Sequence, residues 1–597
     1  MINSQPQNTF LFSAGLERNS AVQRSKSPAI ISAPYMLAAE PVFAHPILAL
    51  VASAIFGASA VNAQTAPDAG SLLQRIEKDR QTQLPAKSPP RFLPPPAMQS
   101  MQGATVEVKA FKFVGNTLLT AAQLEPLLAS FLNRPIDFNT LKNTAVEIAS
   151  AYHKAGWIVR VYLPQQDIID GVVTIQIVEA VFGGLRFEGN ATRVSQKQIK
   201  SLVETAQPPG TAMNSAALDR ALLLIDDLPG ISTIGRQSEG KNQAETDLTL
   251  TITDSLKMTG DVGADNTGSR STGDSRLTAS LTLNSPAGCG DQASANLIHT
   301  EGSDYIRAAY SLPMGNDGWR VGLNTSHLNY EVLSLAQTYG NSTTTGLEAR
   351  YPLLRSRLRN VYLQTTYAAK AFENFSAGVV ATQYKTQALS FSLNGNLFDN
   401  WHGGGDNNAS LTLVSGLVDL AGSPNEAADA ATTQTAGSFH KWRYTLSRQQ
   451  VVTESTFVYA ALSGQIAGKN LDSSEKFSLG GESGVRAYPS GEGSGSEGQM
   501  LNLELRARLP SNFNLTCFYD IGSITVNQNN AITGAAALNS FSLKGVGVSV
   551  GWSAKFGLSL KATLARRLGY NPNAINGNDQ DGSFVQNRLW LRATLVF

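Results

Sequence analysis

The ten residues Arg588-Leu589-Trp590-Leu591-Arg592-Ala593-Thr594-Leu595-Val596-Phe597 decide the fold. Leu589, Leu591, Ala593, Leu595 and Phe597 stand on one parity, and Arg588, Trp590, Arg592, Thr594 and Val596 on the other. Side chains of a strand point alternately to opposite faces, so this segment has an apolar face and a more polar one. The pattern recurs upstream. Leu277, Ala279, Leu281 and Leu283 alternate with Thr278, Ser280 and Thr282, and Leu501, Leu503, Leu505, Ala507 and Leu509 with Asn502, Glu504, Arg506 and Arg508. A soluble sandwich alternates in the same way, so length has to decide. The Gly-, Ser-, Thr- and Asn-rich region 255–597 holds 343 residues, and the one long apolar run of the sequence is Pro46–Ala63. Without a spanning helix a chain crosses lipid only as a closed barrel, which satisfies every backbone group. At about 10 residues per tilted strand, plus turns and outer loops, the region suits a transmembrane β-barrel of about 16 antiparallel strands around a polar lumen.

Composition supports this and excludes several functions. Charged residues are 16% of the chain, against roughly 25% in soluble domains. Lys+Arg 47 balances Asp+Glu 46, so no basic excess points to nucleic acid. Two cysteines rule out a disulfide scaffold. Cys517 shares parity with Phe513, Leu515 and Tyr519, a lipid-facing set, and Cys289 lies in the turn Gly288-Cys289-Gly290; both read as free thiols. The six histidines are scattered without an H-x-x-x-H pair, so no metal or other cofactor is expected. No nucleophile–base–orienter set suggests an enzyme.

Pro46–Ala63 ends in Val61-Asn62-Ala63, a small-x-small cleavage pattern, with Arg18, Arg24 and Lys26 upstream. Residues 1–63 are therefore predicted to be an extended signal peptide cut after Ala63. In the next segment, 64–104, the S-x-x-Q box of Ser71 and Gln74 predicts a helix reaching about Gln83. Pro85, Pro89, Pro90, Pro94, Pro95 and Pro96 then predict an extended linker.

The stretch 105–254 repeats itself. Phe113-Val114-Gly115-Asn116 returns as Phe187-Glu188-Gly189-Asn190, and Pro135/Pro209 and Gly156/Gly230 keep the same offset of 74. Each copy reads as strand, helix, helix, strand, strand. The opening strands are Val106–Phe113 and Leu185–Phe187, and S/T-x-x-Q boxes open the first helices at Thr120 and Ser195. Leu124, Leu127, Leu128 and Phe131 form one apolar stripe, and Ile199, Leu202 and Val203 its counterpart. Leu141, Ala145, Ile148 and Tyr152 continue on the second helix of copy one, with Leu218, Leu222 and Ile225 in copy two. Strands follow at Trp157–Leu163, Val172–Val178 and Asp247–Thr253.

That order, the F-x-G-N turns and the phrase Val161-Tyr162-Leu163-Pro164-Gln165-Gln166-Asp167 resemble POTRA domains, placed here at 105–180 and 181–254. The resemblance implies a periplasmic location and capture of extended polypeptide at a sheet edge, which offers main-chain partners to any sequence. The terminal Phe597 resembles the assembly signal of bacterial outer-membrane barrels. Gly484-Val485-Arg486-Ala487-Tyr488-Pro489 resembles the VRGY-type sixth-loop motif of the insertase and two-partner secretion superfamily, with Ala487 where the common form has Gly. Phe518, Asp520 and Gly522, within Phe518-Tyr519-Asp520-Ile521-Gly522, resemble its barrel-strand partner. Asp520 shares parity with Asn514 and Thr516, which points its carboxylate into the lumen toward Arg486 on an inward loop. In a water-filled lumen such a pair stabilises modestly and acts mainly as a directional latch. Asp265-Asn266-Thr267-Gly268-Ser269-Arg270 adds to the likeness. Gly493, Gly495 and Gly498 match G-x-G-x-x-G but precede a strand, so no dinucleotide site is expected.

The chain is thus identified as a two-partner secretion outer-membrane transporter of TpsB type, in the haemolysin and filamentous-haemagglutinin secretion-activation family. The resemblance implies an unfolded TpsA-type exoprotein of haemolysin or adhesin type as partner, contacts with the lipid bilayer and lipopolysaccharide, and insertion by the barrel-assembly machinery. It also implies a plug formed by the helix near Ser71–Gln83. The alternative is an outer-membrane barrel-assembly insertase, a class that usually carries more POTRA copies than two.

Overall fold

The computed structural model describes residues 66–80, 84–87, 105–189, 192–242, 245–334 and 337–597. The expected signal peptide 1–63, its cut after Ala63 and the linker prolines from Pro89 to Pro96 lie outside these residues.

Helix α1 spans Ala69–Lys78. The predicted cap is displaced by one turn: Asp68 is the N-cap and Ser71 the N3 member of a reciprocal box, and the helix ends at Lys78 rather than near Gln83. Asp68 precedes Ser71 and binds its backbone N–H, so the earlier acceptor takes the cap.

The first module comprises β1 (Thr105–Glu107), β2 (Ala110–Val114), α2 (Ala121–Leu124), β3 (Pro135–Asp137), α3 (Phe138–Lys154), β4 (Val159–Tyr162) and β5 (Val172–Glu179). The single strand expected over Val106–Phe113 is two. Buried Val108 breaks it, β1 pairs with β3, and β2 joins a β2-β5-β4 sheet. A 3₁₀ helix, Glu125–Phe131, continues α2. Its tighter winding buries Leu124 and Leu128 but turns Leu127 outward, contrary to the α-helical stripe expected there. The second module has β6 (Val181–Glu188), α4 (Gln196–Ala206), α5 (Ser215–Asp226), β7 (Ile231–Glu239) and β8 (Glu245–Asp254), with sheet order β6-β8-β7. Strand β7 was not singled out from the sequence. The offset glycines share a physical reason: Gly115 and Gly189 have φ +87° and +92°, and a Cβ would meet the Ile177 and Ile252 carbonyls at 2.2 and 2.7 Å.

Among the described residues sixteen antiparallel strands close a barrel. They begin with β9 (Met258–Asp265), β10 (Arg276–Asn284), β11 (Gln292–Thr300), β12 (Ser303–Met314) and β13 (Trp319–Glu331). Next come β14 (Tyr339–Arg355), β15 (Arg359–Ser376), β16 (Val379–Asp399), β17 (Gly405–Asp419), β18 (Gly437–Val451) and β19 (Thr456–Ala467). After a long loop that contains β20 (Phe477–Ser478) and β21 (Ser494–Gly495) come β22 (Glu497–Leu509), β23 (Phe513–Thr525), β24 (Ser540–Ser553), β25 (Leu558–Arg567) and β26 (Asn587–Val596). Strand β26 pairs with β9 and closes the ring, and Phe597 exchanges two backbone hydrogen bonds with Gly260.

Leu503, Leu505 and Leu509 are exposed on the outer wall, as alternation requires. Aromatic pairs sit at both rims: Trp319–Tyr351 (4.8 Å) at the module end and Tyr339–Phe375 (4.6 Å) at the far end. Such girdles belong at membrane interfaces. Cys517 is exposed on the outer wall, and Cys289 is the second free cysteine.

The second module is fastened to the barrel rim. Arg355 makes a two-bond pair with Asp227 (both 2.8 Å), and Arg357 pairs with Asp219 at 2.6 Å. Both arginines belong to the β14–β15 turn region, and both aspartates to α5 and its C-cap.

Candidate functional site

The loop 468–496 runs between β19 and β22, and its tip, Gly484–Pro489, folds inward onto the lumen wall. Tight turns set the tip: Gly484 N–H donates to the Gly481 carbonyl, Val485 N–H to Leu479, and Tyr488 N–H to Val485. Gly484 is obligatory there, because a Cβ would lie 1.9 Å from the Leu479 carbonyl oxygen.

Arg486 reaches β23. Its Nε and Nη2 donate to the two oxygens of Asp520 at 2.9 and 2.7 Å, and its backbone N–H adds a third bond at 3.1 Å. The surroundings correct one expectation. Asp520 is 0% exposed and Arg486 6%, so the pair sits in a packed, desolvated pocket rather than a wet lumen. The guanidinium stacks 3.5 Å from the ring centre of Phe518, and Val485, Ala487 and Tyr488 are completely buried around it. Losing one partner of such a pair strands a buried charge, at about 3–5 kcal/mol.

Four supporting residues escaped the sequence reading. Glu504 of β22 pairs with Arg486 Nη1 at 2.8 Å, and Asn502 donates to Asp520 at 2.7 Å and to the Gly484 carbonyl. Trp590 of β26 donates its indole N–H to the Arg486 carbonyl at 2.8 Å. Gly545 of β24 faces Ala487, and a Cβ on it would come within 2.6 Å of the Ala487 methyl. The Ala that replaces the usual motif Gly is thus accommodated by a glycine on the opposite wall. Inward parity on strands near the motif was the one available signal for the first three. Gly522 likewise leaves room for Leu479, and Gly547 for Phe518. Pro489 ends the tip, and its carbonyl accepts from Glu492 N–H.

The rest of the loop spans the barrel's closing strands. Glu482 pairs with Arg592 of β26 and Lys561 of β25, at 2.8 and 2.7 Å. Ser490 donates to the Thr267 carbonyl, which brings in the Asp265–Arg270 segment, where Asp265 is paired with Arg276 at 2.8 Å. Gly495 and Gly498 are close-packing positions: a Cβ would meet the Thr525 carbonyl at 2.3 Å and the Phe477 ring at 2.7 Å.

Helix α1 lies between this loop and the lumen wall. Asp68 accepts from Ser473, Gln74 donates to the Lys476 carbonyl, and Lys78 donates to Ser478. From the wall, Asn374 accepts the Ala69 N–H and Lys370 pairs with Glu77 at 3.0 Å. Ala69, Leu72 and Leu73 are buried with Tyr330, Phe372 and Tyr384. Pro85 follows on the same wall, its carbonyl accepting from Asn396.

In the modules, one acid on the last strand anchors each F-x-G-N turn. Glu179 accepts from Thr117 N–H and hydroxyl and from Leu118 N–H; Asp254 accepts from Thr192 N–H and hydroxyl and from Arg193 N–H. Burial alone would raise both carboxyls, but these hydrogen bonds outweigh it and hold both below the usual carboxylate range.

The family described as haemolysin secretion/activation protein ShlB/FhaC/HecB matches residues 244–554, and the ShlB-type POTRA domain matches 106–180. The heme/hemopexin transporter protein HuxB of Haemophilus influenzae is 26% identical over 576 residues, covering 93% of this chain and 100% of its own. The outer membrane transporter CdiB of Dickeya dadantii is 24% identical, over 68% of this chain and 74% of its own. CdiB from Escherichia coli superimposes with a TM-score of 0.67 at 20% identity, over 90% of this chain and 100% of that one, a likeness of fold. With a match over more than half its length, this chain belongs to the haemolysin secretion/activation (ShlB/FhaC/HecB) family, the outer-membrane transporters of two-partner secretion.

Proposed function

We propose that this transporter exports one large haemolysin- or adhesin-type exoprotein, caught unfolded at the edges of POTRA units 105–180 and 181–254 and passed through the barrel 255–597. The observation that carries the reading is the joint packing of α1 and the 468–496 loop inside the barrel, with Arg486 fixed on Asp520. In this reading residues 64–104 provide plug and linker, Arg486–Asp520 latches the loop, and α1 leaves when cargo enters. Three features support plug removal as a separable step. Helix α1 is only ten residues long, its apolar packing is confined to Ala69, Leu72, Leu73 and the half-buried Ile76, and its contacts to the 468–496 loop include exchangeable hydrogen bonds from Gln74 and Lys78. Phe597 serves in barrel assembly, and the outer rim meets lipopolysaccharide.

The test is a secretome comparison with and without the protein, beside an outer-membrane protein profile. Loss of one exoprotein with normal barrels is expected; missing barrels with an unchanged secretome would return the chain to an insertase role. Deleting residues 64–97 should raise conductance in planar bilayers, and unchanged conductance would sink the plug.

A further inference from the structure

A groove is carved into the periplasmic half of the barrel's lipid-facing wall. Gly395 of β16, Ala409 of β17 and Ala460 of β19 form the floor of a groove flanked by Val361, Leu446 and Leu462. Register places Val361, Gly395, Ala409, Leu446 and Leu462 in one row across five strands. Alternation turns this row outward, on the face where Leu397, Leu411 and Leu446 are exposed.

The next row toward the periplasm runs Arg359, Leu397, Asn407, Arg448. Its two arginines differ. Arg448 is occupied: it pairs with Asp399 through bonds of 2.6 and 3.1 Å and lies flat over Gly405, with Trp401 5.2 Å away. Arg359 is exposed at the start of β15, and its guanidinium makes no hydrogen bond or ion pair among the described residues. Two arginines and one aspartate leave this edge with a net charge of +1. Arg448 lines the groove, and Arg359 lies beside it, one row beyond Val361 and opposite the lining residue Leu397. An apolar groove with one uncompensated arginine beside its periplasmic end matches an acyl chain joined to one negative headgroup.

We propose that this outer-wall groove binds one phospholipid of single negative charge from the periplasmic leaflet, its acyl chain over Gly395 and Ala409 and its phosphate on Arg359. The groove lies outside the lumen, so the site is independent of the cargo path.

The test is native mass spectrometry of the full chain in mild detergent, with dioleoyl phosphatidylglycerol and dioleoyl phosphatidylcholine added in turn. The wild type should retain one phosphatidylglycerol about fivefold better than phosphatidylcholine, the worth of one arginine against an anionic headgroup. R359Q should make the two lipids equal, and A409L, which fills the groove, should lower retention of both. Gel migration before and after heating verifies folding of each variant, and A460L replaces A409L if the latter does not fold. A wild type without preference, a preference that survives R359Q, or retention untouched by the groove-filling variant would each overturn the proposal.

Discussion

Of the guanidinium–carboxylate pairs that fasten non-barrel parts of this protein to the barrel, Arg486–Asp520 and Arg355–Asp227 differ in almost everything except chemistry. Arg486–Asp520 holds the inward loop and is sealed, with Asp520 wholly buried. Arg355–Asp227 holds the second module to the rim, and the Asp227 side chain is 36% exposed. Both are two-bond forks of nearly equal length. Bond geometry therefore does not rank them; the water left around each carboxylate does. The sealed pair behaves as a fixed joint and the rim pair as an adjustable one.

The largest break in this contrast should come from D520A. It strands Arg486 with Glu504 alone and should cost about 3–5 kcal/mol of loop attachment. Proteolysis of the loop in intact cells should rise and secretion should fall to background; a loop as protected as in the wild type would show the pocket to be wetter than its packing implies. Overpacking the same pocket comes next. G545A drives a methyl into Ala487 and should cost about 1–3 kcal/mol, while A487G in the same chain should restore protection. Failure of that rescue would mean the two residues are not coupled.

R355A should do less. With the Asp227 side chain 36% exposed, about 1 kcal/mol is expected, read as faster hydrogen exchange in α5 with the barrel's melting unchanged. An effect as large as that of D520A would erase the distinction. The smallest effect concerns the modules' turns. The folded carboxyls of Glu179 and Asp254 lie below their unfolded values, so their stabilisation is present above the ordinary carboxylate range and is lost as pH falls through the folded values. E179Q should flatten the acid limb of thermal unfolding below about pH 4, and an unchanged limb would deny the anchor.

The barrel and the latch could be read from the sequence because both depend on local order. Period-two alternation exposes strands, and Arg486 and Asp520 sit in recognisable short phrases. What could not be read joins residues far apart in the chain. Glu179 meets a turn 62 residues away, Trp590 a carbonyl 104 residues away, and Gly545 makes sense only beside Ala487. Winding was also hidden: Leu127 and Leu128 are equally apolar in sequence, and only the 3₁₀ turn separates exposed from buried. The wet-lumen expectation for Arg486 failed because single-sequence parity gives the direction of a side chain without what is packed above it.

The pairing of Phe597 with Gly260 bears on the cost of closing the barrel. Neighbouring strands elsewhere are joined directly by turns or by loops no longer than the 468–496 segment, whereas β26 and β9 are joined only through the whole intervening barrel. Loop-closure entropy grows with that separation, and the joint that must offset it is short, Arg592–Val596 on Asp261–Asp265 plus the Phe597 exchange. On this ground the β26–β9 joint carries the largest chain-entropy cost of any pairing in the ring. The ring of Phe597 presses on Gly260, where any side chain would collide with it, so this joint is set by a glycine too small to keep the two edges apart.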